Sequence, residues 1–307
     1  MFRKTQKRLA ISAFGAAYVL WGLNTIFIKI SVTQLPVEFY VFLRFALASL
    51  LLLPFLKGKF KKIKPSLWPR IIIGTVLGFA VEMIVFAEAL KRTSALDAAL
   101  IFLLAPAVMY ILSIEVLKER FNSKILLGLV VAFCGGLLIV AGPALGKTTE
   151  NNGVTIVGNL LAFTAVIIGT AGTIIIKPVL KKVSPVQITS LRFMIGAIVM
   201  APLALGKHTQ IAAVHWTPEL ISAVSYGVLV ASAFAYSIYH FGLSRISGEE
   251  SSVLQYLDPL AGIMGAIIIM RDQLTPMILL GGGLTVLGVY LSEVKVKHGI
   301  WHLRSHK

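Results

Sequence analysis

Ten apolar runs follow one another along the chain, at 9–30, 37–56, 71–90, 95–117, 125–145, 154–176, 186–205, 219–243, 252–270 and 276–294. A helix that crosses the roughly 30 Å hydrocarbon core of a bilayer needs about 20 predominantly apolar residues. Each run is that long and continuous, whereas the strands of a membrane barrel alternate over about 10 residues. A soluble helical protein is excluded by the connections, since little polar sequence remains between the runs to face water. Composition agrees: 14% of the residues are charged and 57% hydrophobic, against about 25% charged in soluble domains. The chain is expected to be an all-α membrane protein with ten transmembrane helices.

There are 29 Lys and Arg against 13 Asp and Glu, a net charge of +16. Such an excess suggests nucleic acid, but its placement argues otherwise. With the N-terminus inside, the inner segments hold 21 of the basic residues and the outer segments six, while Arg44 and Arg192 lie within helices. This positive-inside bias predicts a multi-pass protein of the plasma (cell) membrane with both termini cytoplasmic. The excess sets orientation and attracts anionic lipid heads, so the bilayer is the expected partner and nucleic acid is not. Arg3, Lys4, Lys7 and Arg8 ahead of an apolar stretch imitate a secretion signal, but no small-x-small cleavage site comes after it. The stretch reads as a retained first helix. Cys134, the single cysteine, leaves no intrachain disulfide framework.

The chain repeats itself. Leu90, Arg92, Ser94, Leu104 and Pro106 recur 153 residues later as Leu243, Arg245, Ser247, Leu257 and Pro259. "LRF" at 43–45 recurs at 191–193, and Lys29, Arg44 and Pro54 recur as Lys177, Arg192 and Pro202, at an offset of 148. "ILLG" at 125–128 returns at 278–281, and Gly135 returns as Gly288. Each half therefore holds five helices, and an odd number turns the second copy over in the bilayer. The loops agree, because 57–70 carries six Lys and Arg where its counterpart 206–218 carries one. Inverted repeats of this kind mark secondary transporters, in which two similar halves open a central site to each side in turn.

"WGLNTIFIK" at 21–29, "LRF" at 43–45, "ALKRTSALDAALIFLLAPAVMYILSIEVLKERF" at 89–121 and "GLVVAFCGGLLIV" at 128–140 resemble an EamA-like domain, and the second half is similar to a more diverged copy. The resemblance to the drug/metabolite transporter superfamily covers nearly the whole chain. It implies one EamA-like repeat at 9–145, a second, inverted one at 154–294, and a basic cytoplasmic tail at 295–307. It also implies export of amino acids, purines, drugs or other small metabolites, and in some relatives carriage of nucleotide-sugars or sugar phosphates.

Two carboxylates stand near mid-helix: Glu82 in the third run and Asp258 in the ninth. A charge at mid-bilayer costs about 2.5–3.5 kcal/mol on insertion scales, so such groups face protein or a wet cavity. Their repeat counterparts are Ala235 and Ala105. The scaffold does without the acids in its other copy, which points to substrate or proton handling; pairing with an arginine is the structural alternative. Trp21, Asn24 and Tyr256 are candidates to line the same cavity; Gln255, Tyr236, Tyr239 and His240 lie around the same level. Pro106 and Pro259 each break one backbone hydrogen bond at matched positions and are read as hinges. Arg44 and Arg192, being duplicated, are read as architectural or gating groups, with an anion-binding pair as the alternative. Lys29 and Lys177 are expected to snorkel to the interface, and Lys91, Arg92 and Asp97 to lie at the membrane surface. Small residues in the fifth and tenth runs allow close packing, within a monomer or across a homodimer. His298, His302 and His306 have no acidic or thiol companion, so no metal site and no cofactor is expected.

The leading reading is a secondary exporter of small organic metabolites such as amino acids or amines. An intramembrane enzyme is disfavoured because HExxH and GxSxG are absent, and ATP as direct energy source because GxxxxGK[ST] is absent.

Overall fold

The computed structural model describes residues 2–56, 63–105, 108, 111–112, 127–128, 130–138, 156–180, 182–243, 254 and 257–301. Among these residues there is no strand. That is the outcome lipid imposes, because a backbone without water must satisfy its own hydrogen bonds.

The first half opens with α1 (Phe2–Gln34) and α2 (Val37–Leu52). Next come α3 (Trp68–Thr75), a π-helical segment Val76–Val81 and α4 (Glu82–Arg92), stacked as one rod, and then α5 (Ala95–Phe102). The second half opens with α6 (Ile156–Leu180) and α7 (Pro185–Leu205), then the short α8 (His208–Ala212). A second interrupted rod comes next: α9 (Pro218–Ser225), a π segment Tyr226–Phe234 and α10 (Ala235–Leu243). Last are α11 (Leu257–Gly265), a π segment Ala266–Met270, and α12 (Pro276–Trp301). The last helix thus runs on into the basic tail. Proline occupies the first helical position of α7 and α9, where its missing N–H is harmless. The hydroxyls of Ser94 and Thr217 cap α5 and α9, accepting from the amides of Asp97 and Leu220.

Among the described residues, five helices are long and apolar enough to cross a membrane: Lys7–Gln34, Pro65–Arg92, Ile156–Ile176, Val186–Leu205 and Pro218–Tyr239. Shorter apolar helices cover Leu257–Met270 and Pro276–Gly288. Parts of the fourth and fifth apolar runs, with the connection between them, lie outside the described residues. The outward faces are as apolar as the interior: Ile198 is 66% exposed and Ile268 69%. In water such a surface would aggregate, and in lipid it is solvated.

The contacts obey the repeat. Helix α1 packs on α10 and α11, and its counterpart α6 packs on α4 and α5. Helix α2 packs on α7, its own counterpart. The seam between residues 130–138 and α12 repeats the exchange at atomic scale. A Cβ on Gly135 would lie 2.5 Å from Gly281 O, and a Cβ on Gly288 would lie 2.4 Å from Gly128 O. Gly135 matches Gly288 and Gly128 matches Gly281, so each contact is the other with the halves interchanged. Here the small residues bring backbones together within one chain.

Candidate functional site

At the centre of the bundle is a cavity of about 180 Å³ lined from both halves. Helix α1 offers it Trp21, Asn24, Thr25 and Ile28, the i, i+3, i+4, i+7 spacing of a single helical face. Arg44 enters from α2, Glu82, Met83 and Phe86 from α4, and Ala99 and Phe102 from the α5 side. The second half supplies Tyr236, Asp258, Pro259 and Gly262. Trp21, Asn24, Glu82, Asp258 and Pro259, far apart in the sequence, are therefore brought together. Tyr256 and Pro106 lie outside the described residues.

Glu82 is the first residue after the π segment Val76–Val81. A π turn inserts one extra residue, rotates the next turn about the axis and leaves the helix ladder less regular, and it recurs at functional sites. The π segment of the other half, Tyr226–Phe234, contains the matching stretch 229–234 and ends just before Ala235. Glu82 lies against Gly169 of α6, where an added Cβ would come within 3.0 Å of Glu82 Cγ. In the repeat, Gly169 corresponds to Trp21 and Glu82 to Ala235. Trp21 lies along that matching stretch: its indole N–H donates to Ala231 O at 2.8 Å, and its ring centroid is 4.8 Å from that of Tyr236. One half sets a long acid against a glycine; at the equivalent positions the other has an alanine and an indole.

The charges of Arg44, Arg192 and Asp258 all act on Glu82, yet no ion pair joins Glu82 to either arginine among the described residues. Arg44 is buried, donating from Nε to Ser232 Oγ at 2.9 Å and from Nη1 to Met83 Sδ at 3.7 Å. Arg192 does not line the cavity. Its Nη2 donates to Gly78 O at 3.3 Å, and its guanidinium carbon sits 4.5 Å from the ring centre of Phe79, a cation–π contact. Phe79 and Ser232 are repeat counterparts, so each arginine braces the π segment of the opposite half. These contacts lie at mid-helix and not at helix ends, and Arg44 alone also faces the cavity. Asn24 is 4% exposed and its Oδ1 accepts no hydrogen bond among the described residues. A buried acceptor left unpaired costs about 1–3 kcal/mol, which a donor on a bound ligand would recover.

Helix α11 approaches α1 closely enough that a Cβ on Gly22 would lie 2.1 Å from Asp258 O. This approach, absent from any side-chain motif, seats Asp258 beside Trp21 and Asn24.

Two surface expectations are corrected. Lys29 does not snorkel; it turns along α4 and donates to the carbonyls of Leu90, at 3.0 Å, and Thr93, acceptors that the helix end leaves open. Asp97 is not at the surface but 2% exposed, because the α5 N-terminus it stands in is covered by α6 and the segment 271–275. The side chain of Lys177, like His302 and His306, lies outside the described residues.

The model of the EamA-like transporter family matches residues 8–141 and again 156–293. An uncharacterized transporter of Archaeoglobus fulgidus is 27% identical over 297 residues, covering 96% of this chain and 99% of its own. A Salmonella typhimurium protein named "Probable amino-acid metabolite efflux pump" is 25% identical, over 89% of this chain and 91% of its own. A solved crystal structure superposes with a TM-score of 0.61 at 16% identity, covering 92% of this chain and 95% of its own; at that identity the likeness is one of fold. With two matched copies spanning most of its length, the chain is a multi-pass membrane protein that belongs to the EamA-like transporter family.

Proposed function

We propose that the protein is a secondary transporter of the plasma membrane that exports small organic metabolites, amino acids or amines foremost, by alternating access. Ten helices in two inverted five-helix repeats, 9–145 and 154–294, would carry it, with both termini and the tail 295–307 in the cytoplasm. The observation on which this rests is the cavity in which Glu82 of one half and Asp258 of the other meet, inside a bundle whose outer face is apolar. Acids at that depth are expensive unless they serve a polar ligand or a proton. Glu82 and Asp258 hold the ligand's ammonium group or the coupling proton, the free Asn24 Oδ1 takes a further donor, and Trp21 and Tyr236 form an apolar wall. Tyr256 extends that wall, and Pro106 and Pro259 are the hinges. The volume of about 180 Å³ supports a small ligand, since drug-sized sites run to about 300–1,000 Å³. The efflux-pump names of two enterobacterial relatives support export.

The aromatic rings of Trp21, Phe86, Phe102 and Tyr236 around the cavity favour a second reading, a carrier of purines, drugs or other planar metabolites. An intramembrane enzyme ranks lower, because the family is one of transporters. Purified protein in liposomes separates these readings. Saturable counterflow of amino acids or amines supports the first, and counterflow of purines alone the second. Product formation without flux, or unsaturable leak, would overturn both.

A further inference from the structure

At one end of the bundle, the turn between α4 and α5 meets the segment 271–275 that lies beyond α11, and the two belong to opposite halves. Arg271 has φ 57°, the sole non-glycine residue with positive φ among those described. A side chain with a Cβ rarely takes that conformation, and it persists where the surroundings over-determine it. The turn closes as Asp272 N–H donates to Ala266 O at 3.1 Å. The Asp272 carboxylate then reaches across the halves, and its Oδ2 accepts the N–H of Leu96 at 3.0 Å. Leu96 lies in the first turn of α5, whose amides have no acceptor within the helix. Ser94 Oγ serves the Asp97 amide at 2.9 Å; Asp272 serves the one before it. A helix of one half is thus capped by an acid of the other.

Lys29 reaches the same turn through Leu90 O and Thr93 O, and the charges of Asp272 and Asp97 both act on it. Beneath it, the Thr93 hydroxyl donates to Asn159 Oδ1 of α6, while Asp97 Oδ1 has no hydrogen-bond partner among the described residues. The cavity wall is close by. Ala99 lines it, three residues beyond Leu96, which is about 4.5 Å along the helix.

We propose that this fastening is a gate: the Asp272–Leu96 bond, with Lys29 clamping the turn, shuts this end of the central cavity and parts when the halves exchange conformations. The inference rests on the alternating-access reading above. Directional, charge-assisted bonds between two turns join the halves at this junction above packed side chains, with Leu96 buried and Ile267 and Met270 of the other half against its cluster. The sequence also writes its residue types twice. Ser94 and Asp272 meet Ser247 and Glu119 at the offset of 153, and Lys29 meets Lys177 at 148.

The test uses the full-length protein with Cys134→Ser and a reporter, Thr25→Cys, on the cavity wall. A membrane-impermeant maleimide is applied to sealed vesicles of both orientations. Asp272→Ala and Lys29→Met should raise the labelling rate roughly tenfold, the scale of one lost hydrogen bond to a charged group, from one side only. Asp272→Asn, which keeps an acceptor, should fall between. In a second arm, Leu96→Cys with Asp272→Cys should oxidise to a disulfide that stops counterflow, and reduction should restore it. Unchanged labelling in both Asp272→Ala and Lys29→Met, or a cross-linked protein that exchanges substrate at the full rate, overturns the gate. Labelling needs no substrate, so it judges the gate alone, while absence of any counterflow in the reduced protein counts against the transporter reading.

Discussion

Arg44 in the first half donates from Nε to Ser232 Oγ in the second at 2.9 Å, and Ser232 in turn donates to Gly227 O at 2.8 Å. The chain Arg44–Ser232–Gly227 ties α2 to a backbone carbonyl in the π segment Tyr226–Phe234. Arg192 makes the corresponding link to Gly78 O and the ring of Phe79. The two irregular turns are therefore held by arginines that cross between the halves.

Removing the middle of the first link should be felt in stability. Ser232→Ala leaves the Arg44 Nε buried without its acceptor and should cost about 1–3 kcal/mol. Phe79→Leu removes the cation–π contact and should cost about 0.5–2 kcal/mol. Thermal unfolding of the detergent-solubilised protein measures both, and an unchanged Tm in each would remove the bracing role.

The two cavity acids should be separable from the scaffold, because their repeat counterparts are alanines. Glu82→Gln and Asp258→Asn are expected to insert and fold as the parent does. Uphill transport should fall nearly to background in Glu82→Gln and its pH dependence should flatten. Flux in proteoliposomes under an imposed proton gradient reads both effects. Full uphill transport with an unchanged pH profile in both variants would disconnect these residues from function.

Glycine positions differ sharply in what a methyl group would meet. A Cβ on Gly78 would lie 2.1 Å from Gly172 Cα, backbone against backbone, while a Cβ on Gly283 meets nothing within 4 Å. Gly78→Ala should therefore cost about 1–3 kcal/mol through helix displacement. Gly283→Ala should be neutral or stabilising by up to about 1 kcal/mol. Their order in Tm is the check.

The segments 57–70 and 206–218 occupy equivalent places in the two halves and carry six basic residues against one. Single cysteines placed in each, without Cys134, should label from opposite faces of the membrane in whole cells. Labelling from one face would end the inverted topology.

Much of this is legible in the sequence because lipid imposes a simple code. Apolar runs of helix length mark the spans Lys7–Gln34 and Val186–Leu205, and the offset of 153 pairs Gly135 with Gly288, which play the same part in the fold. Glu82 and Asp258 stand out because charge is costly at their depth and their twins lack it. The rest depends on three-dimensional approach. Nothing local marks Val76–Val81 as a π turn, since its residues suit an ordinary helix. Asp97 and Lys29 read as surface charges because such groups usually are, and only the approach of neighbouring elements, α6 beside Asp97 and the α4 end beside Lys29, takes them in. Met83 and Phe86 carry no polar group to mark them, although Phe86 lies one turn from Glu82 on the same face, a spacing that places it by the cavity.

The contact of Glu82 with Gly169, set beside the alanine and the indole at the equivalent positions 235 and 21, bears on how such a protein changes over generations. A side chain at 169 would meet Glu82 Cγ at 3.0 Å, so bulk at one of these two positions limits bulk at the other. A lineage that trades the acid at 82 for a small residue gains a void unless position 169 grows, and one that enlarges 169 first displaces the acid. The two sites, 87 positions apart on the chain, should therefore covary, which an alignment of relatives would check.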